Sequence, residues 1–126
     1  MACSVALKVL EVVQREKLAD NAREMGDFVT QGLERLAQKY PGVIKTVRGL
    51  GLMIGMELVQ NITRLAADGS KTQAVRFANL LHAQGLLTIP AGAEILRFLP
   101  PLNLRKAEAQ EGLDIIERVV RRLVEQ

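Results

Sequence analysis

The sequence predicts an α+β domain: a small, mainly antiparallel or mixed sheet of three to four strands, with helices packed on one face. Three observations carry this. Long stretches near both ends repeat apolar residues at helical spacing. Between them, short β-branched and aliphatic runs are punctuated by glycine and proline. The resulting order of elements lacks the strict strand–helix alternation of a doubly wound parallel sheet. The 126 residues are expected to form one domain, long enough for a real core.

Residues 2–16 carry Val5, Val9, Val12 and Val13 at helical spacing, with Lys8, Glu11 and Arg15 elsewhere on the wheel. A second stripe runs through Leu18, Ala22, Met25, Val29, Leu33 and Leu36. Asp20 or Asn21 is expected to break or cap between the two. Tyr40-Pro41-Gly42 ends the helix, because proline cannot donate to the ladder and glycine accepts the turn. Residues 43–48 are β-branched and read as a strand. Gly49-Leu50-Gly51 suggests a bulge or a sharp bend. Residues 52–59 place Leu52, Ile54, Met56 and Leu58 on one face, and Met53, Gly55 and Glu57 on the other.

Residues 60–71 read as an exposed loop ending at Asp68-Gly69-Ser70. Thr72 is the expected N-cap of a helix over 73–84, with Val75, Ala78, Leu81 and His82 on or beside its inner stripe and Gly85 at its C-cap. Residues 86–89 read as a short strand stopped by Pro90-Ala91-Gly92. The last strand, 95–99, puts Ile95, Arg97 and Leu99 on one face and Leu96 and Phe98 on the other. The final helix, 106–125, is expected to bury Leu113, Ile116, Val120 and either Leu123 or Val124. Arg105 is a poor capping residue, so Asn103 is the expected cap.

Composition excludes several function classes. The net charge is +3, but acidic and basic residues are mixed, and Arg118, Arg121 and Arg122 read as one solvated helix face. Aromatics make up only 3% and do not interleave with basic residues, which argues against nucleic acid. No apolar run reaches membrane-spanning length, about 18 residues, and charges interrupt any signal-peptide core near the N-terminus. Cys3 is the only cysteine, which excludes an intrachain disulfide and a cysteine-rich metal site. It is expected to be a small buried residue, and a reducing cytoplasm is the default location. His82, the only histidine, is expected to be half-exposed and structural. The Gly49-Leu50-Gly51 pattern completes no dinucleotide fingerprint.

One segment points to a ligand or partner. Arg97 stands between Ile95-Leu96 and Phe98-Leu99, ahead of Pro100-Pro101. A guanidinium stays charged, and drawing it out of water is costly without an anion. Its partner is then a carboxylate or phosphate from outside the chain. The alternative is an edge-strand arginine that reaches out to water. Glu57 is expected to pair with a nearby Lys or Arg rather than act as a base. Arg48 is expected in a structural ion pair or a contact with another domain.

Several motifs together resemble one family. Val47-Arg48-Gly49-Leu50-Gly51-Leu52-Met53-Ile54-Gly55-Met56-Glu57-Leu58 resembles a signature strand pair in the C-terminal small domain of class III, ornithine-type, pyridoxal-phosphate aminotransferases. Gly85-Leu86-Leu87 and then Ile95-Leu96-Arg97-Phe98-Leu99-Pro100-Pro101-Leu102-Asn103 resemble that domain's final strand. Met1 through Leu7 resembles the helix after the family's Gly-Gly-Asn-Pro turn. The resemblance spans the whole chain in order and is nearest to the acetylornithine aminotransferases of arginine biosynthesis.

The resemblance implies residues 1–126 are the C-terminal small domain of a fold-type I enzyme whose large, cofactor-binding domain lies outside this chain. It implies a dimeric, cytoplasmic transferase that moves an amino group from N-acetylornithine, or an ornithine-like donor, to 2-oxoglutarate. Pyridoxal 5'-phosphate would be bound by the full-length enzyme and not by this piece, since none of the six lysines lies in the family's cofactor-lysine motif. The implied partners are the chain's own large domain, a second subunit and small amino and oxo acids. Arg97 is the one site residue carried over: it would meet a substrate carboxylate, or a large-domain glutamate. No catalytic, cofactor-binding or metal-binding residue is assigned. A free-standing interaction or regulatory module that kept the fold without catalysis is the rival reading.

Overall fold

The computed structural model describes residues 1–65 and 71–125. Among the described residues, four α-helices, α1 (Ala2–Arg15), α2 (Leu18–Lys39), α3 (Gln73–His82) and α4 (Lys106–Val124), accompany four strands, β1 (Ile44–Leu50), β2 (Met53–Leu58), β3 (Ile89–Pro90) and β4 (Ile95–Phe98), and a 3-10 turn at Thr63–Leu65 buries Leu65 within the expected loop. The strands form one sheet in the order β1-β2-β4-β3, and every neighbouring pair is antiparallel. The expected α+β architecture is therefore present, with helices on one face only.

Alternation decides which face is covered. Ile54, Met56 and Leu58 of β2 are fully buried, as is Leu96 of β4. They pack with Leu33 of α2, Phe77 and Leu81 of α3 and Val120 of α4 in one core. In α3 the inner stripe is Ala74, Phe77, Ala78 and Leu81, so it lies one position off the expected Val75. In α4 Leu113, Ile116 and Val120 are buried as expected; Leu123 is half-buried and Val124 exposed.

Turns and caps follow local chemistry. Leu50 pairs with Met53, so Gly51 and Leu52 close the β1–β2 hairpin, with Gly51 at φ 55°. The bend expected at Gly49-Leu50-Gly51 is this hairpin loop, while the register irregularity sits between Ile44 and Thr46. Thr72 caps α3, its Oγ1 accepting the Val75 N–H at 3.4 Å. Gly85 ends it: Leu86 N–H donates to Leu81 O and Gly85 N–H to His82 O, both at 3.0 Å, with Gly85 at φ 89°.

Four expectations are corrected. The α1–α2 break is at Lys17, which takes a left-handed φ of 50°, and not at Asp20 or Asn21. Asn21 instead donates from Nδ2 to the carbonyls of Leu102 and Leu104, at 2.6 and 3.1 Å, tying α2 to the segment before α4. The strand expected over 86–89 shrinks to Ile89–Pro90, because the Thr88 N–H goes to His82 and not to a neighbouring strand. Arg105, not Asn103, is the N-cap of α4. Glu108 makes this possible by accepting both the Arg105 backbone N–H at 2.9 Å and its guanidinium at 2.6 Å. Cys3 is exposed, because α1 buries none of its residues in this chain. The Asp68-Gly69-Ser70 end of the expected loop lies outside the described residues.

Candidate functional site

The sheet face opposite the helices is bare, and cross-strand register assembles its surface. Arg48 pairs with Gly55, Gly55 with Arg97 and Arg97 with Ile89, so one row across all four strands reads Arg48, Gly55, Arg97, Ile89. The next row holds Thr46, Glu57 and Ile95. Leu50, Met53, Ile89 and Leu99 add exposed apolar area around the arginines.

Arg97 shares this outer face with Ile95, as alternation predicts, but in this chain it is exposed and not drawn out of water. Its backbone is fixed on both sides, by β2 and by β3, and its carbonyl accepts a hydrogen bond from Thr88 Oγ1 at 3.2 Å. Thr88 is itself held by His82, whose Nε2 accepts the Thr88 N–H at 3.2 Å. His82 therefore has the structural role expected of it, latching the end of α3 to the strand beside Arg97, although it is exposed. Among the described residues, no carboxylate of this chain pairs with Arg97.

Glu57 behaves differently. Its carboxylate lies 2.6 Å from Lys45 Nζ and 3.8 Å from Arg48, and its side chain is 17% exposed. The Lys45 hydrogen bond holds the Glu57 carboxyl below the usual glutamate range, against the opposing effect of burial. A carboxylate stabilised as the anion is a poor general base at neutral pH, so Glu57 is an ion-pair residue, as expected. Arg48 joins that pair loosely, which leaves most of its charge facing outward.

Beneath the sheet's β3 end lies an apolar cavity of about 470 Å³ between α2, α4 and the 86–89 segment. Val29, Leu86, Phe98, Leu113 and Ile116 line it, together with His82 and Glu108. Its walls suit an apolar group and bring no pair of reacting groups together. Among the described residues, no three His, Cys, Asp or Glu side chains cluster as metal ligands, and no helix is long and apolar enough to cross a membrane.

Glu57, Glu108 and Glu117 share a consequence. Hydrogen bonds from Lys45, Arg105 and Lys39 respectively lower each carboxyl from the ordinary 4.5. The folded chain thus holds these protons less tightly than the unfolded chain. Their stabilisation is full above the unfolded value of 4.5 and is lost as pH falls through the lowered folded values. Urea midpoints should hold steady near pH 6 and drop by about pH 3.5, and Glu117→Gln should shrink that drop. The effect is modest, since exposed pairs contribute little. Equal midpoints at both pH values would count against it.

The Arg48–Gly55–Arg97 row was not read from the sequence. Each strand's alternation was legible, but the row exists only once register pairs three strands. The two-residue hairpin loop was the available signal for its first half.

Comparison with known proteins places this fold. The family model described as Aminotransferase class-III matches residues 1–120. An acetylornithine aminotransferase of Gloeobacter violaceus is 39% identical over 123 residues, covering 98% of this chain and 28% of that relative. A 5-aminovalerate aminotransferase of Pseudomonas putida is 38% identical, covering 93% of this chain and 27% of the relative. The crystal structure of an acetylornithine aminotransferase from Elizabethkingia anophelis superposes with a TM-score of 0.84 at 31% identity, over 96% of this chain and 28% of that one. This chain therefore spans less than a third of the length of the relatives it matches. With a family model covering nearly every residue and an α+β fold shared with its solved members, the chain belongs to the class-III aminotransferase family.

Proposed function

We propose that residues 1–126 are the C-terminal, substrate-side domain of a pyridoxal-phosphate-dependent aminotransferase, which passes an amino group from N-acetylornithine or an ornithine-like donor to 2-oxoglutarate. The observation that carries this reading is Arg97, a guanidinium with no carboxylate partner among the described residues, presented on a strand anchored from both sides. Its planar fork suits a substrate carboxylate bound through two parallel hydrogen bonds. The domain's own contribution is to bind and orient that carboxylate. The rest of the site is supplied by the chain's own large domain and by a second subunit of a homodimer.

The residues present do not fit the cofactor. All six lysines are exposed. Lys8, Lys39 and Lys45 are each in an ion pair, and Lys106 lies over the Phe28 ring at 5.2 Å. A lysine that forms an imine needs a site that favours its neutral amine, whereas the hydrogen bonds from Lys39 to Glu117 and from Lys45 to Glu57 favour the charged form. The isolated chain is accordingly expected to retain no pyridoxal phosphate after dialysis and to transfer no amino group. Retained visible absorbance together with turnover of an amino acid would overturn this.

Helix α1 supports a partner outside this chain. Val5, Leu7, Val9 and Leu10 are 55–68% exposed, and only Val12 and Val13 are half-buried. So many large apolar side chains left exposed along one helix support an interface with protein outside this chain. The isolated chain should self-associate with rising concentration and bind a hydrophobic dye. Sedimentation as a clean monomer at all concentrations, without dye binding, is the contrary result. The reading as a whole is tested by expressing the full polypeptide that carries this chain and assaying amino transfer to 2-oxoglutarate with each donor.

A further inference from the structure

Gly55 stands in β2 directly beside Arg97 on the outer face, with Arg48 on its other side. A glycine inside a strand brings no side chain to pack and weakens the strand, so its presence calls for a reason. At Gly49, in the neighbouring strand β1, the reason is internal: a Cβ there would lie 2.3 Å from the Met53 carbonyl oxygen. Gly55 has no such neighbour. Its φ is not left-handed, and a Cβ there would meet only Ile95 Cγ2 at 3.6 Å and the Arg48 carbonyl oxygen at 3.7 Å. Those are ordinary contacts. The fold has room for a Cβ at position 55, so nothing within the chain explains the bare surface there.

We infer that Gly55 is a specificity-determining position, which keeps the sheet bare beside Arg97 so that a substrate carboxylate can reach the guanidinium across β2. The inference rests on the proposed role of Arg97. Paired residues on adjacent strands have Cα atoms about 4.5–5.5 Å apart, so a branched side chain at 55 would rise alongside the Arg97 stem and fill the approach. Charge favours an anion as the occupant. Arg48 adds a second positive group on the other flank, and Lys45, 2.6 Å from Glu57, offsets the negative charge in the next row. An uncharged backbone segment laid over Gly55 would bring Arg97 no counter-charge and would leave Arg48 only its loose contact with Glu57.

The test uses the full polypeptide that carries this chain, as wild type, Gly55→Ala, Gly55→Val, Arg97→Ala and the Gly55→Val/Arg97→Ala double variant. Thr46→Val, on the same face but in the next row, is the control. Two quantities are read beside the melting temperature: KM for 2-oxoglutarate, and the inhibition constant of glutarate, a dicarboxylate that cannot be aminated. Gly55→Val should raise both by about 10²-fold, as expected when a reacting group is displaced by about an ångström, and Gly55→Ala should raise them less. The melting temperature should hold or rise, because valine suits a strand better than glycine. In the Arg97→Ala background, Gly55→Val should add little, since both act on one contact. KM and inhibition constant within about twofold of wild type in active Gly55→Val would overturn the inference, again judged against the ~10²-fold scale of a displaced group. So would a lowered melting temperature, or loss of the dimer, which would mean that protein packs over Gly55. If Arg97→Ala itself leaves KM unchanged, the underlying reading of Arg97 fails, and this inference with it.

Discussion

Arg97→Ala in the full polypeptide is expected to lower kcat/KM by roughly 10- to 200-fold, the equivalent of losing about 1.5–3 kcal/mol from one charge-assisted hydrogen-bonded contact. The loss should concentrate in the half-reaction whose substrate carboxylate Arg97 meets, that of 2-oxoglutarate and glutamate. Arg97→Lys should recover only part of the rate, because an ammonium cannot reproduce a planar two-point fork. The melting temperature should barely move: Arg97 is exposed, and the strand beneath it is held by backbone pairing on both sides. Kinetics of the two half-reactions measured separately, with a thermal melt as control, make the comparison. Unchanged rates in both halves would return Arg97 to the role of an edge-strand arginine reaching out to water.

Phe77→Ala should have the largest effect on folding, about 3–5 kcal/mol of destabilisation. Phe77 is fully buried on α3 and belongs to the core shared by α2, α4 and the inner sheet face. Removing its ring takes away apolar burial and leaves a cavity between the helices and the sheet that close packing cannot easily fill. Leu50→Ala offers the contrast. Leu50 is 90% exposed at the hairpin end, and its loss should change the stability of the isolated chain by no more than about 0.5 kcal/mol. Denaturant melts of the two variants check both values. A Phe77→Ala variant within about 1 kcal/mol of wild type would mean that the core repacks around the gap.

Most of this fold was legible because burial imposes strict periods. Leu52, Ile54, Met56 and Leu58 alternate, and all four are buried. The α2 stripe from Met25 to Leu36 likewise lies in the core. What escaped reading depended on single contacts. Nothing in Lys17 announces a left-handed backbone. Residues 86–88 have the composition of a strand, yet the Thr88 N–H is satisfied by a histidine side chain. Arg105 can serve as an N-cap because Glu108 takes up its amide. Alternation alone put Arg97 on one face with Ile95; that this face is open in the chain was not legible, because the apolar flanks of Arg97 pointed to burial. Its neighbour Gly55 and the more distant Arg48 join it only through register across β1, β2 and β4.

The most direct test of the account is amino transfer by the full polypeptide with Arg97 intact and with Arg97→Ala, followed for 2-oxoglutarate as acceptor alongside the melting temperature. The account predicts turnover by the wild type, a KM and kcat/KM defect in the variant on the roughly 10- to 200-fold scale, and superimposable melts. A full polypeptide that folds and dimerises but transfers no amino group would contradict it, as would a variant that turns over like wild type.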